Sequence, residues 1–237
     1  MCTVVIRIPH ATGEPVRLLA VRDEDPARPW RTLGPWWPDL PNVLGVQDQL
    51  AGGAWLAADP CASKVAMIVN RVGTPSVETI TSRGTLVLDA MRGLPLASSP
   101  TTLGFHLIEA TPHGASVATW DGTRLDRQSL EPGTHMIAHD CVDDPTTPRI
   151  AAWREVFSQA STRGEPWYAE WLAVLEQTTA LPPTDERAII RDNRPYGYPT
   201  QSLLIVAADV TTDGVRLHQA KLPEPGFLPK GLTLDLP

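Results

Sequence analysis

Residues 2–24, with the sequence CTVVIRIPHATGEPVRLLAVRDE, contain the two segments that decide the fold. Runs rich in Val, Ile and Leu at 2–8 and 16–24 flank a stretch of turn-forming residues at 9–15. Two such runs separated by a turn predict a β-hairpin. The hairpin begins with Cys2, and a cysteine at the head of an apolar strand is usually a small, inert hydrophobe. A nucleophilic role for Cys2 therefore requires other chemical groups beside it.

The bulk composition predicts one globular domain over residues 1–237. A formal net charge of -7 argues against nucleic acid or an anionic membrane surface as a partner. The three cysteines are too few and too widely spaced for a disulfide framework or a zinc ribbon, so we expect a cytoplasmic protein. The apolar stretch at the start is too short for a signal peptide or a membrane span.

Further along the chain, short apolar runs indicate strands, and two regions have helical periodicity instead. The order of these elements predicts an α+β fold, and the chain lacks the glycine-rich motifs of nucleotide-binding folds. The last residues, about 222–237, are predicted to form a surface tail. Strands are predicted at 52–59, 63–70, 104–111, 115–122, 135–140, 200–209 and 214–222, and helices at 82–94 and within 150–180, with a Pro-rich excursion at 29–41.

Several short motifs follow one another along the chain. They are Met1 and Cys2, the run Arg22, Asp23 and Glu24, then Arg28 and Pro29, Gly52 to Leu56 with Trp55, and Asn70. In this order they resemble the NRDE family, whose animal members are called transport and Golgi organisation protein 2. The resemblance continues through SRGTLVLDAM (82–91), GFHLIEA (104–110), LEPGTHMIAHD (130–140) and YGYPTQSLLIV (196–206), so it covers nearly the whole chain.

The resemblance implies a fold and also exposes four departures. The family is similar to the N-terminal-nucleophile hydrolases, so the implied fold is a four-layer αββα sandwich of that type. Val21, His106 and His139 stand where the family pattern has asparagine, and Pro199 stands where it has arginine. Roles that depend on those four family side chains are therefore not carried over.

A thiol attacks as its thiolate, and its ordinary pKa of about 8.5 leaves it mostly protonated at neutral pH. If Met1 is removed, the α-amine of Cys2 has a pKa near 7.7–8.0 and can accept the thiol proton. Removal of Met1 is then a chemical requirement for Cys2 to act as the nucleophile.

Arg22 and Asp23 are the next candidates, because a neighbouring second strand brings them near the thiol. Arg22 would favour the thiolate, and Asp23 would orient the amine. Asp25 is an alternative to Asp23, since related hydrolases of conjugated bile acids and penicillins have an Arg-x-x-Asp spacing. The ordinary structural interpretation of this group is a solvated charge cluster at a strand end.

Asn70 and Trp55 complete the predicted site. Asn70 ends an apolar strand, where its amide can stabilise an oxyanion or, as in many proteins, bond to its own turn. Trp55 would form a wall of the substrate pocket, although a tryptophan of this kind more often belongs to the core.

No metal site is predicted. His135 and His139 are four residues apart in a predicted strand, about 13 Å, which is too far for both to bind one ion. His139 is instead a candidate substrate contact or proton carrier, with an ordinary polar strand residue as the alternative.

These features lead to two functional hypotheses. The first is a hydrolase of a non-peptide amide C–N bond in a small molecule, with catalytic Cys2, Arg22, Asp23 and Asn70 and no cofactor. The second is a non-enzymatic carrier of haem or of a lipid, since members of the family are implicated in handling haem and in lipid metabolism.

Overall fold

The computed structural model describes residues 2–237 and has an α+β fold with two antiparallel sheets. A short 3₁₀ helix, Arg194–Tyr196, precedes the last two strands. The strands are β1 (Thr3–Ile8), β2 (Val16–Glu24), β3 (Trp30–Gly34), β4 (Leu44–Asp48), β5 (Ala54–Asp59), β6 (Lys64–Asn70), β7 (Phe105–Thr111), β8 (Gly114–Trp120), β9 (Leu125–Ser129), β10 (Gly133–Ile137), β11 (Gln201–Thr211) and β12 (Gly214–Lys221), and the helices are α1 (Gly84–Met91), α2 (Pro148–Gln159) and α3 (Ala169–Thr178).

The opening hairpin lies inside a five-stranded sheet of order β10-β1-β2-β11-β12. β1 pairs with β2 from Thr3 opposite Val21 to Arg7 opposite Arg17. The second sheet has seven strands in the order β3-β4-β5-β6-β7-β8-β9, so each strand lies beside its neighbours in sequence. The predicted hairpins β1–β2, β5–β6 and β11–β12 are all confirmed.

The five-stranded sheet is buried on both faces. Val4 and Ile6 of β1 belong to a hydrophobic cluster that also contains Leu56 and Met67 of the other sheet. Val5, which points to the opposite face, packs in a second cluster with residues of the helical region. Because side chains alternate across a strand, nearly continuous apolar runs such as TVVIRI supply both faces at once.

Helices cover the outer faces of both sheets. Trp171 of α3 and Phe157 of α2 pack edge to face, with ring centroids 5.8 Å apart, in the cluster on the five-stranded sheet. This confirms the predicted helix pair over a sheet. Helix α1 contacts β5, β6 and β7 of the seven-stranded sheet. The arrangement is compatible with the predicted αββα sandwich.

The side chain of Arg7 joins the first strand to the end of α2. Its guanidinium donates hydrogen bonds to the backbone carbonyls of Phe157 at 2.6 Å and of Ser158 and Ala160 at 2.9 Å. The last carbonyls of a helix lack partners within the helix, and a cation there also complements the helix dipole. Arg7 therefore acts as a distant C-terminal cap for α2.

Three strands were missed by the sequence patterns. The Pro-rich excursion at 29–41 contains β3, and β4 follows it. Strand β9, with the sequence LDRQS, is mostly exposed and has no apolar alternation. The β3 and β9 strands are the two edges of the seven-stranded sheet, and edge strands are often short and polar.

The segment predicted to be a surface tail, about 222–237, packs against the five-stranded sheet. Leu222, Leu228 and Leu234 are buried and belong to the cluster on the five-stranded sheet. Backbone hydrogen bonds between Gln219 and Asp235 hold the segment against β12. Its prolines prevent regular secondary structure, but its spaced leucines still bury apolar surface. No helix within residues 2–237 has the length and apolar character required to cross a bilayer.

We expect Leu234→Ala to lower the free energy of unfolding by about 2 kcal/mol, because it removes a buried side chain and leaves a cavity. The matched control is Leu236→Ala, since Leu236 is 71% exposed and Leu234 only 7%. Urea unfolding of both variants measures the difference. Equal stability of the two variants would show that the segment is a loose tail.

Candidate functional site

A pocket of about 380 Å³ opens at the edge of the molecule where β1 and β5 begin and β2 and β6 end. It is lined by five of the six residues predicted from sequence, namely Cys2, Arg22, Asp23, Trp55 and Asn70. The two sheets each contribute residues, so the pocket exists only because the sheets are stacked. His139, the sixth, is not among the described lining residues.

Cys2 lies just before β1 and is only 4% exposed. Its thiol donates to the backbone carbonyl of Asp23, with a Sγ to oxygen distance of 3.6 Å, and the N–H of Asp23 donates to Sγ at 3.4 Å. The pairing of Thr3 with Val21 brings the next positions, Cys2 and Arg22, side by side. The hairpin register therefore sets the position of the sulfur.

The environment of Cys2 favours the protonated thiol. Burial raises its pKa above the ordinary value, and the negative charge of Asp23 raises it further. The N–H of Asp23 and the positive charge of Arg22 act in the opposite direction but do not outweigh burial. Cys2 consequently needs a proton acceptor close to Sγ before it can attack a substrate.

Arg22 is a buried cation beside the thiol, with 2% of its surface exposed. Its guanidinium lies 4.9 Å from the ring centroid of Trp30, and Nη2 donates to Glu24 at 3.4 Å. Its Nη1 has no hydrogen-bond partner among residues 2–237. Burial lowers the pKa of Arg22, and the nearby Cys2 and Glu24 partly offset this effect. Arg22 therefore has a donor available for further interactions.

Asp23 is held by a short chain of hydrogen bonds. The hydroxyl of Ser202 on β11 donates to Asp23 Oδ1 at 2.6 Å, and the same hydroxyl oxygen accepts from the backbone N–H of Arg191 at 2.8 Å. Asp25, the alternative candidate, instead accepts from the backbone N–H of Ala27 in the following turn, and it is not a lining residue. The geometry favours Asp23 over Asp25 as the acidic residue of the site.

Asn70 and Trp55 lie on the part of the pocket that the seven-stranded sheet forms. Asn70 is exposed at the end of β6, and Trp55 is buried in β5. The indole Nε1 of Trp55 has no hydrogen-bond partner in the part of the chain that the structure describes. Trp55 belongs both to the core and to the pocket wall, so the two alternatives for this residue are not exclusive.

Four charged lining residues were not among the predicted site residues, namely Glu24, Arg28, Asp48 and Arg83. Arg28 donates from Nε and Nη2 to Asp48 Oδ2, at 2.8 and 2.6 Å, which ties the chain after β2 to β4. Arg83, just before α1, donates to the carbonyl of Gly104 at 3.0 Å. Arg28 and Arg83 both occur in motifs that the family shares, and those motifs were the available signal.

Two glycines explain how α1 reaches the pocket. A Cβ on Gly53 would lie 2.5 Å from the carbonyl carbon of Gly84, so only a glycine allows α1 to start against β5. Gly52 has a φ of +71°, a left-handed conformation that favours glycine. The close approach of helix and strand therefore requires Gly53, and the left-handed backbone favours glycine at position 52.

The two histidines that replace family asparagines lie close to each other but outside the lining of the pocket. His106 on β7 is fully buried, and its Nδ1 shares a hydrogen bond with the Thr119 hydroxyl at 2.9 Å. His139 follows β10, with Nε2 3.2 Å from Asp140 Oδ2. Burial, reinforced by the charge of Arg71, lowers the pKa of His106 to about 4. His106 is therefore neutral at physiological pH.

Residues 1–213 match the model of the family described as Transport and Golgi organisation 2. The chain belongs to this family. A search of curated proteins found no match. The family match covers every residue that lines the pocket, whereas the packed segment 222–237 lies beyond it.

The positions at which this chain differs from the family pattern have different structural consequences. Val21 is buried on the helical side of β2 and packs in the apolar cluster there. His106 replaces an amide with a buried imidazole that retains one polar partner, Thr119. Pro199 lies in the loop before β11, outside the pocket lining. Arg22, Asp23 and Asn70, which keep the family residues, are the ones that line the pocket.

We expect Ser202→Ala to lower the free energy of unfolding by about 1–3 kcal/mol, because a buried carboxylate loses a hydrogen-bond donor. Ser116→Ala on β8 is the matched control, since Ser116 is an exposed strand serine. Chemical denaturation compares the two variants. A Ser202→Ala protein as stable as the Ser116→Ala protein would contradict the structural role of this hydrogen bond.

His106 makes stability depend on pH. Its folded pKa of about 4 lies below the unfolded value of 6.5, so the unfolded chain binds a proton first as the pH falls. The stability is complete above pH 6.5 and decreases toward pH 4, with a loss of about 2 kcal/mol at pH 5 from this group.

His106→Asn, which restores the family residue, is expected to remove that part of the pH dependence. Unfolding free energies at pH 7.5 and pH 5 measure it, with His113→Asn as a control at an exposed turn position. The same loss at pH 5 in wild type and His106→Asn would assign the effect to other groups.

Proposed function

We propose that this protein is an N-terminal-nucleophile hydrolase that cleaves the amide C–N bond of a non-peptide small molecule. The observation that carries the proposal is the pocket itself, which gathers Cys2, Arg22, Asp23 and Asn70 from both sheets. The compatible α+β architecture and the family membership support it. Free cysteines at 2, 61 and 141 fit a reducing cytoplasm, which is part of the proposal.

The first half of the reaction forms a thioester. After removal of Met1, the α-amine of Cys2 accepts the thiol proton, and Sγ attacks the amide carbonyl carbon. The carbonyl oxygen becomes an oxyanion, to which the side-chain amide of Asn70 donates a hydrogen bond. As the C–N bond breaks, the α-ammonium returns its proton to the leaving amine.

The second half releases the acid. Water replaces the departed amine, and the α-amine of Cys2 accepts a proton from it as its oxygen attacks the thioester carbon. The C–S bond then breaks, and the α-ammonium returns a proton to Sγ. One water is consumed, and a carboxylic acid and an amine are produced without any cofactor.

The surrounding charges account for the remaining roles. Arg22 lowers the pKa of the Cys2 thiol, which opposes the effect of burial. The carboxylate of Asp23 is oriented by Ser202 and would accept a hydrogen bond from the α-amine. These are the roles that the sequence patterns predict for the two residues.

Of the two carrier hypotheses, haem and lipid, the pocket supports only a carrier of a lipid. Trp55, Ile68 and Leu103 give the pocket an apolar wall. No histidine is among the described residues that line the pocket. If a haem were bound there, the expected protein ligand of its iron would be the sulfur of Cys2. A carrier would bind an apolar ligand without turnover.

Removal of the thiol is the direct test. In protein shown by intact mass to lack Met1, we expect a panel of small amides to include one whose turnover falls about 10³-fold or more in Cys2→Ala. A thioester adduct on Cys2 should be detectable by mass spectrometry. The matched control is Cys61→Ala, which removes an exposed cysteine outside the pocket.

Three outcomes would reject the hydrolase. These are retention of Met1 in the mature protein, equal turnover by Cys2→Ala, or absence of turnover across the panel. Tight binding of apolar ligands by both wild type and Cys2→Ala, without cleavage, would instead favour the carrier.

A further inference from the structure

The pocket contains three arginines with very different charge compensation. Arg28 is paired with Asp48 through two short hydrogen bonds. Arg22 has a single, longer bond to Glu24 at 3.4 Å. Arg83 has no ion pair among residues 2–237, and its hydrogen-bond acceptor is the neutral carbonyl of Gly104. Positive charge is therefore least compensated beside Arg83.

Arg83 is also partly removed from water. It is half-buried at the pocket, and burial lowers its pKa, with only partial compensation from the charges of Cys2 and Glu24. A guanidinium has five N–H donors, and one hydrogen bond is formed to protein here. Desolvating a cation is costly unless an anion accompanies it. Arg83 thus lacks the close carboxylate that Arg28 has.

The start of α1 adds to the same imbalance. Ser82, Arg83 and Gly84 line the pocket, so the N-terminal end of this helix faces it. The first turn of α1 has no acidic residue, and the side-chain cap there is the neutral Ser82 hydroxyl, which accepts from the N–H of Gly84 at 3.3 Å. The positive end of the helix dipole attracts anions.

Arg22 provides an independent observation at the same pocket. Only 2% of the surface of Arg22 is exposed, and its Nη1 has no hydrogen-bond partner within residues 2–237. Buried polar groups without partners are uncommon in folded proteins. A ligand anion bound at Arg83 would add negative charge to the pocket that Arg22 also lines.

We propose that the pocket binds a carboxylate, with Arg83 and the start of α1 as its main contacts and Arg22 beside them. The proposal rests on the proposed function and specifies its substrate class: a small amide that carries a carboxylate near the scissile bond. The planar guanidinium matches a carboxylate through two parallel hydrogen bonds. The apolar part of the substrate then faces Trp55, Ile68 and Leu103.

A carboxylate fits better than a more highly charged anion. Asp23, Glu24 and Asp48 also line the pocket, so a dianion such as phosphate would meet three carboxylates and one guanidinium without an ion pair. The volume of about 380 Å³ also suits a small molecule with one acidic group and one apolar group.

The binding test does not depend on catalysis. N-benzoylglycine and its neutral carboxamide analogue, N-benzoylglycinamide, are titrated into the Cys2→Ala protein, and binding is measured by calorimetry. We expect the carboxylate to bind about tenfold more tightly than the carboxamide. Arg83→Gln in the same background should abolish that preference, and Arg83→Lys, which keeps the charge, should retain part of it.

Arg124→Gln is the matched control, because Arg124 is an exposed arginine outside the pocket lining. It should leave the preference unchanged. Thermal unfolding of each variant verifies that it is folded. Three results would overturn the proposal: equal affinity for N-benzoylglycine and N-benzoylglycinamide, an unchanged carboxylate preference in Arg83→Gln, or absence of N-benzoylglycine binding. Displacement by inorganic phosphate at equal affinity would also overturn the assignment to carboxylates.

Turnover of the same two compounds by protein lacking Met1 distinguishes the hydrolase proposal from the carboxylate-site proposal. A carboxylate preference in binding without hydrolysis of any amide would reject the hydrolase and retain the carboxylate site. Equal hydrolysis of acidic and neutral amides would retain the hydrolase and reject the carboxylate site.

Discussion

The pairing of β1 with β2 is the constraint on which the site depends. It places the thiol of Cys2 between the backbone N–H and carbonyl of Asp23, at 3.4 and 3.6 Å, and beside the guanidinium of Arg22. Side chains alternate across a strand, so a register slip of one residue would move Arg22 to the helical side of the sheet. The apolar residues of both strands prevent that slip, because they fill two different hydrophobic clusters. Core packing and site geometry are therefore determined by the same register.

A second constraint is the close stacking of the two sheets, which turns two strand ends into a pocket. The five-stranded sheet contributes the thiol, Arg22 and Asp23, and the seven-stranded sheet contributes Trp55 and Asn70. The glycine contact between Gly53 and Gly84 brings α1, and with it Arg83, to the same edge. Three arginines and three carboxylates line the pocket, but Arg83 has no ion pair within residues 2–237 and is partly withdrawn from water. This electrostatic imbalance, and not the shape of the cavity alone, is what suggests an anionic substrate.

The site was more predictable than the edges of the fold. Cys2, Arg22, Asp23, Trp55 and Asn70 occur in short motifs with a fixed order, so local sequence was sufficient to select them. Strands β3, β4 and β9 were missed because proline-rich and polar strands lack the apolar periodicity on which prediction relies. The burial of leucines within the segment 222–237 was not predicted, because leucines at irregular spacing, interrupted by prolines, have no periodicity. The role of His139 as a substrate contact remains a prediction without a place in the pocket lining.

By itself, the sequence determined the α+β class, the three hairpins, the helical regions and the family, because apolar periodicity and motif order are local properties of the chain. Only the tertiary structure decided that Arg83 joins the pocket lining, that Asp23 lines the pocket and Asp25 does not, and that the last leucines are buried. The physical reason is that charge compensation and burial depend on contacts between residues far apart in sequence. Ser202 contacts Asp23 across 179 positions, and no local pattern specifies that contact.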